Sequence, residues 1–130
     1  MKMTIITNNP RVNEHYSDKF NLEFFPDDTQ AEILKRARNK IHLGAKLLIH
    51  PMPGRIKPHE TPYKSVLLEE GASETNFDSV VIIEDSIKMT EKYLNNTVYT
   101  KYYDELTQDL QYIDKLLLDS GIEEIRGSSS

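Results

Sequence analysis

The chain contains no cysteine. Disulfides, thiolate metal sites and cysteine nucleophiles are therefore excluded. Glycines are few, at five in 130 residues, and neither a Walker motif nor a Gly-rich dinucleotide turn is present, so nucleotide cofactors have no support. No apolar run approaches the roughly 20 residues of a membrane span. The N-terminus also lacks the apolar core of a secretion signal, and the expectation is a cytoplasmic protein with no membrane partner. Positive charge is in deficit, with 16 Lys and Arg against 21 Asp and Glu and a formal net charge of −5. Nucleic-acid binding needs the opposite balance on one face. At 130 residues the chain has the size of one domain that buries roughly two-thirds of its unfolded surface. We expect a single domain over residues 1–125 and a flexible tail over 126–130.

What is present is concentrated between His50 and Ser65, reading HPMPGRIKPHETPYKS. This stretch holds four of the six prolines, two of the four histidines and three cations. It follows the apolar run Leu47-Leu48-Ile49 and precedes Val66-Leu67-Leu68. A loop this long without periodicity is functional or disordered. The prolines argue for order, since each fixes its own φ and restricts its predecessor.

Around this loop the elements follow in turn. Met3 to Thr7 reads as a buried strand. Asn9-Pro10, a cap followed by a first-turn proline, opens a short helix to about Ser17. Asn21 to Phe25 is a second strand. Thr29 and Glu32 have capping-box spacing, and Ile33, Leu34, Ala37 and Ile41 recur on one helical face. The opposite face, with Lys35, Arg36, Arg38 and Lys40, reads as a solvated surface or as a docking surface for an acidic partner. Gly44 fits the residue just past the helix. Ala45 to Ile49 is a third strand and Ser65 to Glu70 a fourth.

Asp78 to Asn95 is read as one helix capped by Asp78, although Val80 to Ile83 alone suits a strand. Its second apolar stripe, Ile82, Met89 and Tyr93, needs a cover, from the last helix or from a second subunit, and a homodimer is the expectation. Tyr99, Tyr102 and Tyr103 form a packed corner or an interface. The last helix follows Leu106, Leu110, Ile113 and Leu117 and is expected to end at Gly121.

Short strand–helix–strand connections imply parallel pairing. The fold class is α/β: a small, mainly parallel sheet of three to four strands, in order 2-1-3, with the fourth strand as an antiparallel edge and about four flanking helices. Open sheets of this kind bind ligands beyond the carboxyl ends of their strands. The turn Thr7-Asn8-Asn9-Pro10 and the loop from His50 then share one edge. Asn8, Asn9, His50, Arg55, Lys57 and Lys64 are expected to converge there, with Thr61 and Tyr63 lining the site. Residues 50–65 carry a net +2 on a chain of −5, a positive island suited to a carboxylate or phosphate. No catalytic residue is assigned. Two histidines nine positions apart match no metal spacing, and Ser65 lacks the Gly-x-Ser-x-Gly elbow of a nucleophile.

The TNNP turn after an apolar strand, followed by LLIHPMPGRIKPHETPYKS, resembles the GrdX family. These are small proteins encoded beside the glycine, sarcosine and betaine reductase genes of amino-acid-fermenting anaerobes. Asn8, Asn9, His50, Lys57, Pro58, Thr61, Pro62 and Lys64 fit the family pattern, whereas His59 stands where Asn is commoner. The resemblance implies an accessory role near amino-acid reduction, with a reductase subunit as the alternative partner to a small anion. It implies no reaction and no cofactor.

Overall fold

Ile5 and Ile6 are adjacent in sequence and both fully buried. Side chains alternate across a strand, so one strand buries two faces and must lie inside the sheet. A computed structural model of the chain describes residues 2–52, 61–95 and 106–128. In it, β1 (Lys2–Thr7) is flanked by β2 (Asn21–Phe24) on one side and β4 (Ser65–Glu70) on the other, while β3 (Lys46–Leu47) lies beyond β4. The order is β2-β1-β4-β3. β1 and β2 pair in parallel, and β4 is antiparallel to both β1 and β3. The first three strands thus point the same way, as expected, in an α/β fold.

The expected order needs one correction. β4 is antiparallel, but it is a central strand between β1 and β3 and not an edge, so β3 does not pair with β1 and the sheet is mixed rather than mainly parallel. The reason lies in Val66, Leu67 and Leu68, which are at most 1% exposed. A continuous apolar run marks a strand covered on both faces. Glu69 and Glu70 therefore do not guard an edge; Glu70 instead accepts hydrogen bonds from Thr4 Oγ1 and Lys40 Nζ. The edge on this side is β3, whose two residues are fewer than the five anticipated. Short edge strands are a common protection against further pairing.

The helices form two layers. On one face, α2 (Gln30–His42) and α3 (Phe77–Asn95) cover Ile6, Val66 and Leu68 with Ile33, Leu34, Ala37, Ile41, Ile83 and Ile87. On the other, α1 (Pro10–Tyr16) and α4 (Thr107–Ser128) cover Ile5 and Leu67 with Val12, Tyr16, Leu118 and Ile122. The Thr29–Glu32 capping box is formed, and Gly44 takes a φ of +110° just past α2.

The cations of α2 remain partly solvent-exposed, at 24–45% of their side chains, and each pairs with a carboxylate. Lys35 pairs with Glu91 at 2.9 Å, Arg36 with Asp28 at 2.5 Å, Arg38 with Glu84 at 3.7 Å and Lys40 with Glu23 at 2.8 Å. They fasten α2 to its neighbours. Such exposed pairs contribute at most about 1 kcal/mol each.

Three further expectations change. α3 is one helix, but its cap is Asn76, whose Oδ1 accepts from the Ser79 N–H at 2.9 Å; Asp78 sits in the first turn. α4 runs through Gly121 to Ser128. A Cβ at Gly121 would lie 2.3 Å from Ile49 Cδ1, so the glycine admits Ile49 against the helix and does not end it. Residues 126 and 127 are consequently helical, not tail. The three clustered tyrosines lie outside the described residues. α4 cannot be the cover for the stripe on α3, because the two helices lie on opposite faces of the sheet, and Met89 is 48% exposed.

Candidate functional site

At the carboxyl end of β1 the sheet closes on a buried polar cluster. Thr7 opposes Ser65 in the β1–β4 ladder, and their hydroxyl oxygens are 2.7 Å apart. Thr7 Oγ1 accepts from the Asn9 N–H at 2.9 Å. Ser65 donates its one proton to Asp114 Oδ2 at 2.8 Å, so its oxygen accepts from the Thr7 hydroxyl. Asn9 Nδ2 donates to the same Asp114 oxygen, and to the Gln111 carbonyl, each at 2.9 Å. Asp114 thus joins α4 to β4 through Ser65 and to the cap of α1 through Asn9.

Asn8 and Asn9 are 4% and 0% exposed. Asn8 Nδ2 donates to the Asp28 and Pro62 carbonyls, both at 2.9 Å, and Oδ1 accepts from the Lys64 N–H at 2.9 Å. Asn9 Oδ1 caps α1 through the Arg11 N–H. Both amides are committed within the chain, so they build the wall of the site rather than present groups to a ligand. The cap also satisfies a backbone N–H at the N-terminus of α1.

Lys64 is half-buried. Its ammonium donates to the Pro51 carbonyl at 2.6 Å, and among the described residues it makes no contact ion pair. Burial lowers its pKa, partly opposed by the charge of Asp114. Asp114 is displaced the other way: burial raises its pKa against the bonds from Asn9 and Ser65 and the charge of Lys64. The two groups feel each other without touching. Their separation follows from their anchors, since Pro51 holds the ammonium while Asn9 and Ser65 hold the carboxylate.

Two recesses border this pair. One, of about 20 Å³, is lined by Gln30, Thr61, Tyr63, Lys64 and Asp114 with Leu110, Ile113 and Leu117. The second, of about 40 Å³, adds His50, Pro51, Ser65, Ile49 and Leu118. Each has room for at least one water-sized group. Thr61 Oγ1 accepts from the Tyr63 N–H at 3.2 Å, and Tyr63 Oη accepts from Gln111 Nε2 at 2.9 Å. His50 is exposed, and its Nδ1 accepts from the Met52 N–H at 3.0 Å. That bond closes a local turn over residues 50–52.

Of the expected site residues, Asn8, Asn9, His50, Thr61, Tyr63 and Lys64 meet on one sheet edge. Arg55 and Lys57, with Pro58 and His59, lie outside the described residues. Sequence reasoning missed Asp114, Thr7, Gln30 and Gln111. For Asp114 a signal existed: the buried stripe of α4 is Leu110, Leu118 and Ile122, and a carboxylate at 114 falls on that i, i+4 spacing. Among the described residues no cluster of three His, Asp or Glu side chains suits a metal.

The family model described as GrdX-like protein matches residues 4–123. The chain belongs to the GrdX family. The match includes β1 from Thr4 onward, the other three strands, the site at the end of β1 and most of α4, so Asp114 lies within the GrdX-like region. No curated protein and no solved structure matches the chain. No described helix of this GrdX-family protein is long and apolar enough to cross a membrane.

Proposed function

We propose that this GrdX-family protein is a cytoplasmic accessory of glycine, sarcosine or betaine reductase metabolism that binds a small anionic ligand beside Lys64. Family membership supports the metabolic setting. The observation that carries the binding reading is the Lys64 ammonium. It borders both recesses and has one carbonyl partner among the described residues, which leaves two N–H donors for a ligand. A half-desolvated cation attracts an anion more strongly than an exposed one, because screening is weaker.

Thermal unfolding against acetate, phosphate and acetyl phosphate tests this. Ligand at 100 times Kd stabilises by about 2.7 kcal/mol, and Lys64→Met abolishes the response while keeping the fold. A wild-type protein indifferent to every anion at low ionic strength would refute the reading.

A second reading is a non-catalytic module that docks on a reductase subunit. Phe77 and Val81, one turn apart at the start of α3, are 78% and 59% exposed. Met89, from the stripe assigned to a homodimer, lies further along the same helix. Sedimentation of the protein alone, and with purified reductase subunits, separates self-association from docking. Phe77→Ser with Val81→Ser abolishes either complex if this helix forms it.

A further inference from the structure

The Lys64 recess is bordered by a carboxylate as well as by a cation. A simple anion site would be weakened by Asp114, because a like charge nearby opposes binding. A structural ion pair would instead close to contact. Neither arrangement is found: Lys64 Nζ is held by Pro51, Asp114 Oδ2 is held by Asn9 and Ser65, and the two charges do not meet. Among the described residues Asp114 Oδ1 receives no hydrogen bond, so one oxygen stays available alongside the two remaining Lys64 donors. Both groups line both recesses.

We infer that the ligand is a small zwitterion, an amino acid of two or three carbons, with its carboxylate on Lys64 and its protonated amine on Asp114. The inference rests on the anion reading of the same site and narrows its ligand class. Charge complementarity argues for it, since one bound molecule would satisfy both half-desolvated groups. Size argues for it too. Recesses of about 20 and 40 Å³ suit a ligand group of a few non-hydrogen atoms. Leu117 and Leu118 supply an apolar wall beside the charged pair.

Titration calorimetry of the whole chain with matched probes tests it. Acetate carries the carboxylate alone, methylamine the amine alone, and glycine both; propionate, ethylamine and alanine repeat the set with one more carbon. The expected result is that the amino acids bind and each half binds at least roughly tenfold more weakly, the loss of one charged hydrogen bond. Asp114→Asn, which preserves the bonds to Asn9 and Ser65, weakens amino-acid binding roughly 10- to 100-fold and leaves acetate binding unchanged or tighter. Acetate binding as well as glycine to the wild type overturns the zwitterion and leaves the anion site standing. Methylamine binding as well as glycine, or no binding by any probe, overturns both. The wild-type comparison decides the matter even if Asp114→Asn does not fold.

Discussion

Asn9 Nδ2 donates to Asp114 Oδ2 at 2.9 Å across 105 positions of sequence. This bond closes the carboxyl end of β1 against the middle of α4. The same Asn9 side chain caps α1 through Arg11, so one residue serves a local and a long-range purpose at once. That dual use explains why a fully buried amide stands in a turn, where most residues face solvent.

Asn9→Ala removes the cap and one of the two bonds to Asp114. Loss of a cap costs about 1 kcal/mol, and an under-bonded buried carboxylate costs about 1–3 kcal/mol more. The expected destabilisation is about 2–4 kcal/mol in urea unfolding. In a double-mutant cycle with Asp114→Ala the two effects fall short of additivity, because each mutation removes the same bond. Simple additivity would mean that the contact contributes nothing.

Much of the fold was legible because local signals agreed. The Thr29–Glu32 box, the Asn9-Pro10 start and the glycine after α2 each depend on a few neighbouring residues, and each formed as read. What was not legible depends on pairing partners far away. Ser65 to Glu70 announced itself as a strand, but its central place was carried only by the unbroken Val66-Leu67-Leu68 run. Gly121 carries the stopping signal of a helix end, yet the close approach of Ile49 uses it for another purpose. The site divides in the same way. The turn at Asn8-Asn9 and the lysine at 64 were visible, whereas Asp114 was missed because the helix was read in the Leu106, Leu110, Ile113 and Leu117 register and not along the Leu110, Leu118 and Ile122 stripe on which it falls.

Gly44→Ala tests the turn after α2. The backbone there has a φ of +110°, and an added Cβ would lie 2.3 Å from the Ala72 carbonyl oxygen. Backbone is the obstacle, so side-chain adjustment gives no relief. The expected loss is at least about 2 kcal/mol, read as a lowered melting temperature with an unchanged far-ultraviolet spectrum. A neutral or stabilising outcome would contradict the turn geometry.

Gly121→Ala sets two effects against each other. Alanine is favoured over glycine inside a helix by about 1 kcal/mol, but its Cβ would meet Ile49 at 2.3 Å, and overpacking costs about 1–3 kcal/mol. The net expectation is destabilisation. Ile49→Ala alone also destabilises by leaving a cavity. Combined, the two changes recover part of the loss, with a favourable coupling of about 1 kcal/mol or more. Urea midpoints of the four proteins read the coupling directly, and its absence would mean that Ile49 does not rest on Gly121.

The titration of Asp114 gives the sharpest stability prediction. Burial raises its folded pKa above the ordinary aspartate value of 3.8. Below pH 3.8 the carboxyl is neutral in both folded and unfolded chains and costs nothing. As pH rises from there toward the raised folded value, the unfolded chain loses its proton first, so folding becomes progressively less favourable. Each unit of displacement corresponds to about 1.4 kcal/mol. Lys64 has the opposite sense at the alkaline end. Its folded pKa lies below 10.5, so between the two values the unfolded chain holds more protons and stability rises with pH. Asp114→Asn retains an acceptor for Asn9 and Ser65 but carries no proton equilibrium. The stability difference, wild type minus Asp114→Asn, should therefore fall as pH climbs from 3.8 and level off above the folded value of Asp114. Subtraction removes the carboxylates that titrate alike in both proteins, Glu70 among them. Measured by urea unfolding from pH 3.5 to 8, a flat difference would mean that the carboxylate is no harder to ionise in the folded chain than in water. A difference that rises with pH would mean that its hydrogen bonds and Lys64 outweigh its burial.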